Sequence, residues 1–285
     1  MAKLTAPKIR NYKKGPESPP LVMVTAYDAP TSRIAHAAGV DLVLVGDSLA
    51  MVVLGFDDTL QVTVDDMVHH TAAVARVGPD PFIVADLPWM GYHVSTAETL
   101  HNAARLVRAG AQSVKLEGGR KRVPMVQALV DAEIPVMGHL GLTPQSLLAM
   151  GGFRVQGKSV DDAAELIEDA TALAEAGVFA IVLEGIPEAV AAKITRSVPV
   201  PTIGIGAGSD CDGQVLVFHD LVGLEDRIHP KFVRRYANLS EAAVAAVGSF
   251  AADVRSGDFP DETETYHASD AVTEALGLYG SAPTD

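Results

Sequence analysis

The sequence contains one cysteine, few aromatic residues and fewer basic than acidic side chains. Cys211 is the only cysteine, which excludes an intramolecular disulfide and favours a reducing, cytoplasmic environment. No apolar run approaches the roughly 18 residues of a membrane span, and the first residues lack the apolar core of a signal peptide. We therefore expect a cytoplasmic protein without a membrane partner.

Charge is strongly one-sided, with 36 acidic and 22 basic residues and a formal net charge of -14. Such a chain repels nucleic acid and anionic lipid, so we expect neither as a partner.

An acidic surface with little lysine is also typical of proteins from a high-salt cytoplasm. That hypothesis predicts activity that rises with molar KCl, and full activity in dilute buffer would refute it.

The composition predicts a folded chain, because 48% of the 285 residues are hydrophobic and 20% are charged. This length suits one large α/β domain with extensions. We expect an N-terminal segment over 1–20, a catalytic domain over 21–262 and an acidic tail over 263–285. The tail is expected to be disordered or to pack on a neighbouring subunit.

Strand and helix patterns alternate along the chain. Apolar runs predict eight strands, at 21–27, 42–46, 82–86, 113–117, 135–139, 179–184, 202–207 and 216–223. Helices are predicted at 29–38, 64–76, 96–109, 123–132, 160–176 and 187–197, with a C-terminal helix at 239–254. Eight such units favour a closed (β/α)8 barrel, and the lack of a G-x-G-x-x-G after the first strand disfavours a dinucleotide fold.

Polar side chains end most of these strands. They are Asp47, Ser48, Asp86, Lys115, Glu117, His139 and Glu184. Because strand exits converge at one mouth of a parallel barrel, we expect these residues to surround one small molecule.

Three carboxylates among them are candidate metal ligands. Asp47 and Asp86 offer the hard oxygen atoms that Mg²⁺ prefers, and Glu117 could complete the site directly or through water. The alternative is that each aspartate caps the turn or helix after it. Lys115 and Glu117 share one face of their strand, so Lys115 either pairs with a carboxylate or holds a substrate carboxylate. A Schiff-base role is disfavoured by the nearby negative charge.

The remaining candidates are less distinctive. His139 is a hydrogen-bond donor for substrate or a core histidine with internal partners. Glu184 ends an apolar run, where partial desolvation suits a general base, although it could instead cap the next helix. The glycines at 203–208 are candidates to cradle an anion at a helix start.

Six segments together resemble one enzyme family. They read VTAYD at 24–28, VGDSLAMVVLG at 45–55, ADLPWM at 85–90, VKLEGG at 114–119, GHLGLTPQS at 138–146 and IGIGAG at 203–208. The chain is similar to the ketopantoate (3-methyl-2-oxobutanoate) hydroxymethyltransferases from about residue 21 to about residue 262, including GGFRVQGK at 151–158 and PKF at 230–232.

This resemblance implies an enzyme that transfers a hydroxymethyl group from 5,10-methylenetetrahydrofolate to 3-methyl-2-oxobutanoate through a Mg²⁺-stabilised enolate, early in pantothenate and coenzyme A synthesis. It implies one Mg²⁺ per subunit and a homo-oligomer such as a decamer. By position, Asp47 and Asp86 would bind the metal with Glu117 in its shell. Ser48 and Lys115 would contact the oxo acid, with His139 nearby, and Glu184 would accept the proton.

Two positions depart from the family pattern. Ala50 replaces the last glycine of GDSLG, and Phe56 stands where a histidine is often found. Since this loop can shape access of the one-carbon carrier, a modified pterin stays open as an alternative to folate. A Mg²⁺-dependent oxo-acid lyase or mutase is the alternative activity, and a non-catalytic oxo-acid-binding protein is the alternative class.

Overall fold

The structure is a computed structural model that describes residues 3–152, 154–225, 227 and 229–277. Eight parallel strands pair in chain order, and the last pairs with the first, which closes a barrel. The strands are β1 (Leu21–Thr25), β2 (Leu42–Val45), β3 (Phe82–Asp86), β4 (Ser113–Glu117), β5 (Val136–Gly141), β6 (Ala180–Glu184), β7 (Thr202–Ile205) and β8 (Gly213–Leu216). The predicted (β/α)8 barrel is confirmed.

Helices connect the strands and follow the last one. They are α1 (Ala6–Arg10), α2 (Ala29–Ala37), α3 (Leu49–Val52), α4 (Val64–Ala75), α5 (Thr96–Arg108), α6 (Val123–Asp131), α7 (Leu147–Met150), α8 (Val160–Ala176), α9 (Glu188–Ser197), α10 (Phe218–Val222), α11 (Leu239–Ser256) and α12 (Asp270–Leu276). Short 3₁₀ turns occupy Arg120–Arg122 and Pro144–Ser146. All seven predicted helices are present within about two residues of their predicted ends.

The position of the eighth strand differs from the prediction at 216–223. The strand is Gly213–Leu216, and Phe218–Val222 forms α10 instead. A side chain at Gly213 would put its Cβ 2.6 Å from the carbonyl oxygen of Leu21, so glycine is needed for β8 to pair closely with β1. The strand therefore begins with a residue of low strand propensity, and the apolar run that suggested a strand belongs to the following helix.

Two apolar layers lie on either side of the barrel wall. The outer layer packs the strands against the surrounding helices. The inner layer fills the lower barrel with inward side chains that include Leu42, Phe82, Met137 and Phe179. Ile9 of α1 joins this inner cluster and is fully buried. The lower barrel is thus a packed core, and space for a ligand is left at the carboxyl ends of the strands.

The N-terminal segment is attached to the barrel by polar contacts as well. Arg10 donates hydrogen bonds to the carbonyl oxygens of Gly177 and Val178, at 2.8 and 2.7 Å. Asp212, which is 2% exposed, accepts hydrogen bonds from the Lys13 ammonium at 2.6 Å and from the Thr202 amide at 2.9 Å. Asp212 therefore joins the segment before β1 to the start of β7.

The chain divides into two compact units, Met1–Ala237 and Asn238–Asp285. The second contains α11 and α12, and within it the rings of Phe250 and Phe259 meet edge to face at 5.2 Å. The predicted acidic tail at 263–285 includes α12, and its residues 278–285 lie outside the described residues. Across the described ranges, no helix has the length and hydropathy needed to span a bilayer.

We predict that Asp212→Ala lowers the free energy of unfolding by about 2–4 kcal/mol, because the Lys13 ammonium and the Thr202 amide would lose a buried acceptor. Urea denaturation followed by circular dichroism measures this change. Asp210→Ala, which removes an exposed carboxylate two residues away, is the control and should stay within about 0.5 kcal/mol of wild type. Equal stability of the two variants would contradict this role for Asp212.

Candidate active site

The register of neighbouring strands brings the predicted residues together. Asp86 on β3 is paired with Lys115 on β4, and Glu117 on β4 with His139 on β5. Glu184 ends β6. All seven predicted site residues line one cavity of about 330 Å³ at the carboxyl ends of the strands. The expected convergence is therefore observed.

Lys115 and Asp86 form a buried ion pair. Lys115 Nζ lies 3.0 Å from Asp86 Oδ1, and both side chains are almost fully buried. Burial opposes the charge of Lys115, but the carboxylates of Asp86, Glu117 and Asp47 outweigh that effect and raise its pKa. Lys115 is therefore held as a cation, which favours charge stabilisation over Schiff-base chemistry.

His139 lies between two carboxylates. Its Nδ1 is 3.2 Å from Glu117 Oε1, and its Nε2 is 3.3 Å from Glu184 Oε2, where the alignment is too poor for a hydrogen bond. Burial and the Lys115 ammonium lower the pKa of His139, but Glu117 and Glu184 outweigh them and raise it to about 9. His139 is therefore an imidazolium at neutral pH and belongs to the ionic site.

Glu184 differs from its neighbours in exposure. Its side chain is 16% exposed, whereas those of His139 and Glu117 are 3% and 2% exposed. The next helix begins at Glu188 after Pro187 and has no side-chain cap, so Glu184 is not a helix cap. Its carboxylate faces the cavity, where a ligand can reach it.

Negative charge is in excess in this cluster. When ionised, the four carboxylates of Asp47, Asp86, Glu117 and Glu184 face two cations, Lys115 and His139. Burial raises the pKa of Asp47 well above its usual range, and the carboxylates of Asp86 and Glu117 raise it further. The excess of two negative charges equals the charge of one divalent cation.

The donor atoms suit a magnesium ion held by few protein ligands. Asp86 Oδ1 is buried and, within the described chain, has no hydrogen bond besides its ion pair with Lys115. The described residues include no group of three or more His, Cys, Asp or Glu side chains arranged to hold a metal. Mg²⁺ is commonly bound by one or two carboxylates together with water and substrate oxygens, so Asp47 and Asp86 are an adequate pair.

Glu117 has other contacts in this arrangement. One carboxylate oxygen lies beside His139, and the other accepts a hydrogen bond from the backbone N–H of Gln145 at 3.0 Å. Burial raises the pKa of Glu117, but His139 and Lys115 outweigh burial and bring the pKa below its usual value. These contacts suit a residue in the shell around the candidate metal ligands.

Gln145 was missed in the sequence. Its side-chain amide donates to Asp47 Oδ2 at 2.8 Å and to the carbonyl oxygen of Leu87 at 3.0 Å. Its side-chain oxygen accepts from the Tyr92 hydroxyl at 2.7 Å. Gln145 thus links two candidate metal ligands, Asp47 and Glu117. It lies in the GHLGLTPQS segment, but an uncharged side chain beyond the strand end carries little signal by itself.

Ser48 is positioned by a tyrosine. Its hydroxyl lies 2.8 Å from the Tyr27 hydroxyl, and Tyr27 is 1% exposed. Burial is the main cause that raises the pKa of Tyr27, so it stays protonated and can donate to Ser48. Tyr27 belongs to the VTAYD segment, whose contribution to the site was not apparent from spacing.

The glycine-rich loop has a different role from the predicted anion cradle. It leads into β8, so no helix start follows Gly208. Gly206 has a φ of +63°, and a Cβ there would lie 2.7 Å from Phe232 Cδ1. The absent side chain makes room for the Phe232 ring, which lines the cavity.

Solved structures with this fold include enzymes that act on other substrates. One is a 2,3-dimethylmalate lyase, with a TM-score of 0.58 and 18% identity over 98% of this chain and 96% of that chain. Another is a phosphonopyruvate hydrolase in complex with oxalate and Mg²⁺, with a TM-score of 0.56 and 16% identity over 90% of each chain. At this level of identity, the likeness concerns the fold alone.

Curated relatives are much more similar in sequence. The 3-methyl-2-oxobutanoate hydroxymethyltransferase of Moorella thermoacetica is 55% identical over 266 residues, covering 93% of this chain and 98% of its own. The protein of the same name from Oleidesulfovibrio alaskensis is 58% identical over 241 residues, covering 84% of this chain and 83% of its own. The ketopantoate hydroxymethyltransferase family pattern matches residues 3–262. The predictions of family and of transferase class are confirmed, and the chain belongs to the ketopantoate hydroxymethyltransferase family.

Proposed function

We propose that this enzyme transfers a hydroxymethyl group from 5,10-methylenetetrahydrofolate to 3-methyl-2-oxobutanoate and thereby forms ketopantoate for pantothenate and coenzyme A synthesis. The observation that carries the proposal is a partly exposed carboxylate, Glu184, in the same cavity as three buried carboxylates, which together with Glu184 exceed the two cations of the site by two charges. The first can remove a proton, and the second suits a cation that binds an oxo acid.

Asp47 and Asp86 would hold the Mg²⁺, with Glu117 in its shell. When bound, Mg²⁺ supplies Lewis-acid stabilisation to the vicinal carboxylate and ketone oxygens of the oxo acid. The phosphonopyruvate hydrolase of the same fold carries oxalate and Mg²⁺, and oxalate has a comparable pair of vicinal oxygens.

Polar side chains would orient the oxo acid. The Lys115 ammonium would stabilise the negative charge that develops on the substrate oxygens, because it is held as a cation by its carboxylate neighbours. The Ser48 hydroxyl, held by Tyr27, would contact the oxo acid carboxylate. The His139 imidazolium would keep the carboxylate of Glu184 in place.

The isopropyl group of the substrate would meet an apolar wall. Leu44, Val182 and Ile205 point into the cavity from β2, β6 and β7. Val182 precedes Glu184 by two residues on the same strand, so both side chains face inward. An isopropyl group on this wall would bring its C3 proton toward Glu184.

The transfer exchanges two carbon–nitrogen bonds of the carrier for one carbon–carbon and one carbon–oxygen bond of the product. Glu184 takes the proton from C3, and the C3 electron pair forms a bond to the methylene carbon of the carrier. The bonds from that carbon to the carrier nitrogens break, and water supplies the hydroxyl group. One proton from water and the proton from C3 end on the two nitrogens of tetrahydrofolate.

The competing activity is cleavage or rearrangement of an oxo acid without a carrier. Incubation with Mg²⁺ and 3-methyl-2-oxobutanoate, with and without 5,10-methylenetetrahydrofolate, separates the two by proton NMR. We expect a new hydroxymethyl resonance only with the carrier. A new product without the carrier would favour a lyase or mutase.

We also propose a homo-oligomer such as a decamer, located in the cytoplasm, where the buried Cys211 would remain a thiol. Light scattering at working enzyme concentration tests the assembly. A decamer has ten times the chain mass of 29.8 kDa. A mass equal to one chain would contradict the proposal.

We predict that Glu184→Gln lowers the rate of C3 proton exchange by about 10²–10⁴-fold while substrate and Mg²⁺ binding persist, because only the proton acceptor is lost. Asp86→Ala should weaken both Mg²⁺ binding and exchange. Deuterium uptake from D₂O and calorimetric titration with Mg²⁺ measure the two effects. Glu188→Gln, an exposed carboxylate four residues away, is the control. Normal exchange by Glu184→Gln would remove that residue from its role.

We predict that Gln145→Ala weakens Mg²⁺ binding by about 10–100-fold, because Asp47 loses the side-chain amide that orients its carboxylate, while the backbone N–H of residue 145 still donates to Glu117. Calorimetric titration with Mg²⁺ in the presence of the oxo acid measures the change. Gln127→Ala, an exposed glutamine on α6, is the matched control. Equal affinities in the two variants would show that Gln145 does not orient the metal ligands.

A further inference from the structure

The active-site cavity extends beyond the ionic cluster to the opposite side of the barrel mouth. Asp220, on α10 directly after β8, lines the same cavity of about 330 Å³ as Lys115. In the closed ring of eight strands, β8 lies four strands from β4, so Asp220 and Lys115 are on opposite sides. The volume is within the range for drug-sized ligands, and an oxo acid with eight non-hydrogen atoms would leave part of it open.

The side of the cavity near Asp220 is largely apolar. Met51 and Val52 line it from α3, Val217 from the residue between β8 and α10, and Phe232 from the segment after α10. The Phe232 ring is seated against Gly206, where any side chain would displace it. An aromatic ring beside aliphatic side chains suits a planar, heteroaromatic ligand.

Asp220 places an acceptor beside this wall. It is half-buried, and within the described part of the chain no hydrogen bond or ion pair reaches its carboxylate. Burial and Glu225 raise the pKa of Asp220 to about 6, against the opposing influence of Arg235 and His229, so it is mostly ionised at neutral pH. A half-buried carboxylate in an apolar cavity is best stabilised by a ligand that donates hydrogen bonds.

We propose that Asp220 binds the pterin ring of the one-carbon carrier, accepting hydrogen bonds from its ring N3–H and its 2-amino group while the ring packs against Phe232. These two donors are parallel, like those of a guanidinium, and match the two oxygens of a carboxylate. The inference rests on the proposed function and adds the subsite for its second substrate.

Charge determines which end of the carrier faces Asp220. The tail of a folate ends in carboxylates, which Asp220 would repel, whereas the pterin edge offers donors. With the ring in the cavity, the nitrogens that hold the methylene group lie toward the oxo acid. Because folate and modified pterins share this ring edge, both are expected to use Asp220.

Equilibrium binding of tetrahydrofolate to the full chain tests the proposal. Asp220→Asn keeps the shape but loses one acceptor oxygen and the charge, so we expect the dissociation constant to rise about tenfold to hundredfold. Asp220→Ala should weaken binding at least as much, and Asp220→Glu should weaken it less. Asp210→Asn is the matched control, since it removes an exposed carboxylate from the loop before β8.

Two further probes separate the ring from the rest of the carrier. For 6-methyltetrahydropterin, which lacks the tail, Asp220→Asn should weaken binding by the same factor. Asp220→Asn should weaken the binding of tetrahydromethanopterin by a similar factor. The affinity of the wild-type enzyme for tetrahydromethanopterin relative to tetrahydrofolate identifies the preferred carrier. In turnover, the KM for the methylene carrier should rise more than the KM for the oxo acid.

Unchanged carrier affinity in Asp220→Asn would overturn the inference, as would an equal rise in both KM values. If the wild-type enzyme forms ketopantoate and Asp220→Asn binds tetrahydrofolate as tightly as wild type, the subsite alone is refuted. If the wild-type enzyme forms no ketopantoate and Asp220→Asn nevertheless weakens tetrahydrofolate binding, the proposed function is refuted and the subsite stands.

Discussion

The site depends on the burial of more negative than positive charge at the mouth of a barrel. Isolated buried charges are costly, and the ring of strands reduces this cost by placing Lys115 beside Asp86 and His139 beside Glu117. Burial, together with the carboxylates of Asp86 and Glu117, raises the pKa of Asp47, and a divalent cation would balance the excess negative charge. The buried carboxylates also keep Lys115 and His139 positively charged. A site of this charge, once it holds a divalent cation, suits an oxo acid.

The apolar lower barrel supports this charged layer. Inward side chains such as Phe82 and Met137 pack below it, and Ile9 of the N-terminal helix closes the bottom. Because successive residues alternate between the faces of a strand, Lys115 and Glu117 must both enter the barrel once their strand is paired. Strand register therefore controls the geometry of the site, and Gln145 then fixes the directions of the carboxylates.

Much of this arrangement was predictable because buried parallel strands produce continuous apolar runs that end at one mouth. The runs ending at Asp86, Glu117 and Glu184 located both the strands and the side chains that line the cavity. Other features depend on contacts that periodicity does not contain. The eighth strand was placed wrongly because its start, Gly213, is selected by close approach to β1, and Gln145 carries no charge and lies past its strand. Family resemblance supplied the substrates, which the residue pattern alone left open.

The central claim is that this charge cluster and Glu184 together remove the C3 proton of an oxo acid. The most direct measurement is the proton NMR spectrum of 3-methyl-2-oxobutanoate in D₂O with wild-type enzyme and no carrier, with and without Mg²⁺. We expect loss of the C3 proton signal only when Mg²⁺ is present. A C3 signal that persists with Mg²⁺, under conditions where added carrier yields ketopantoate, would contradict it.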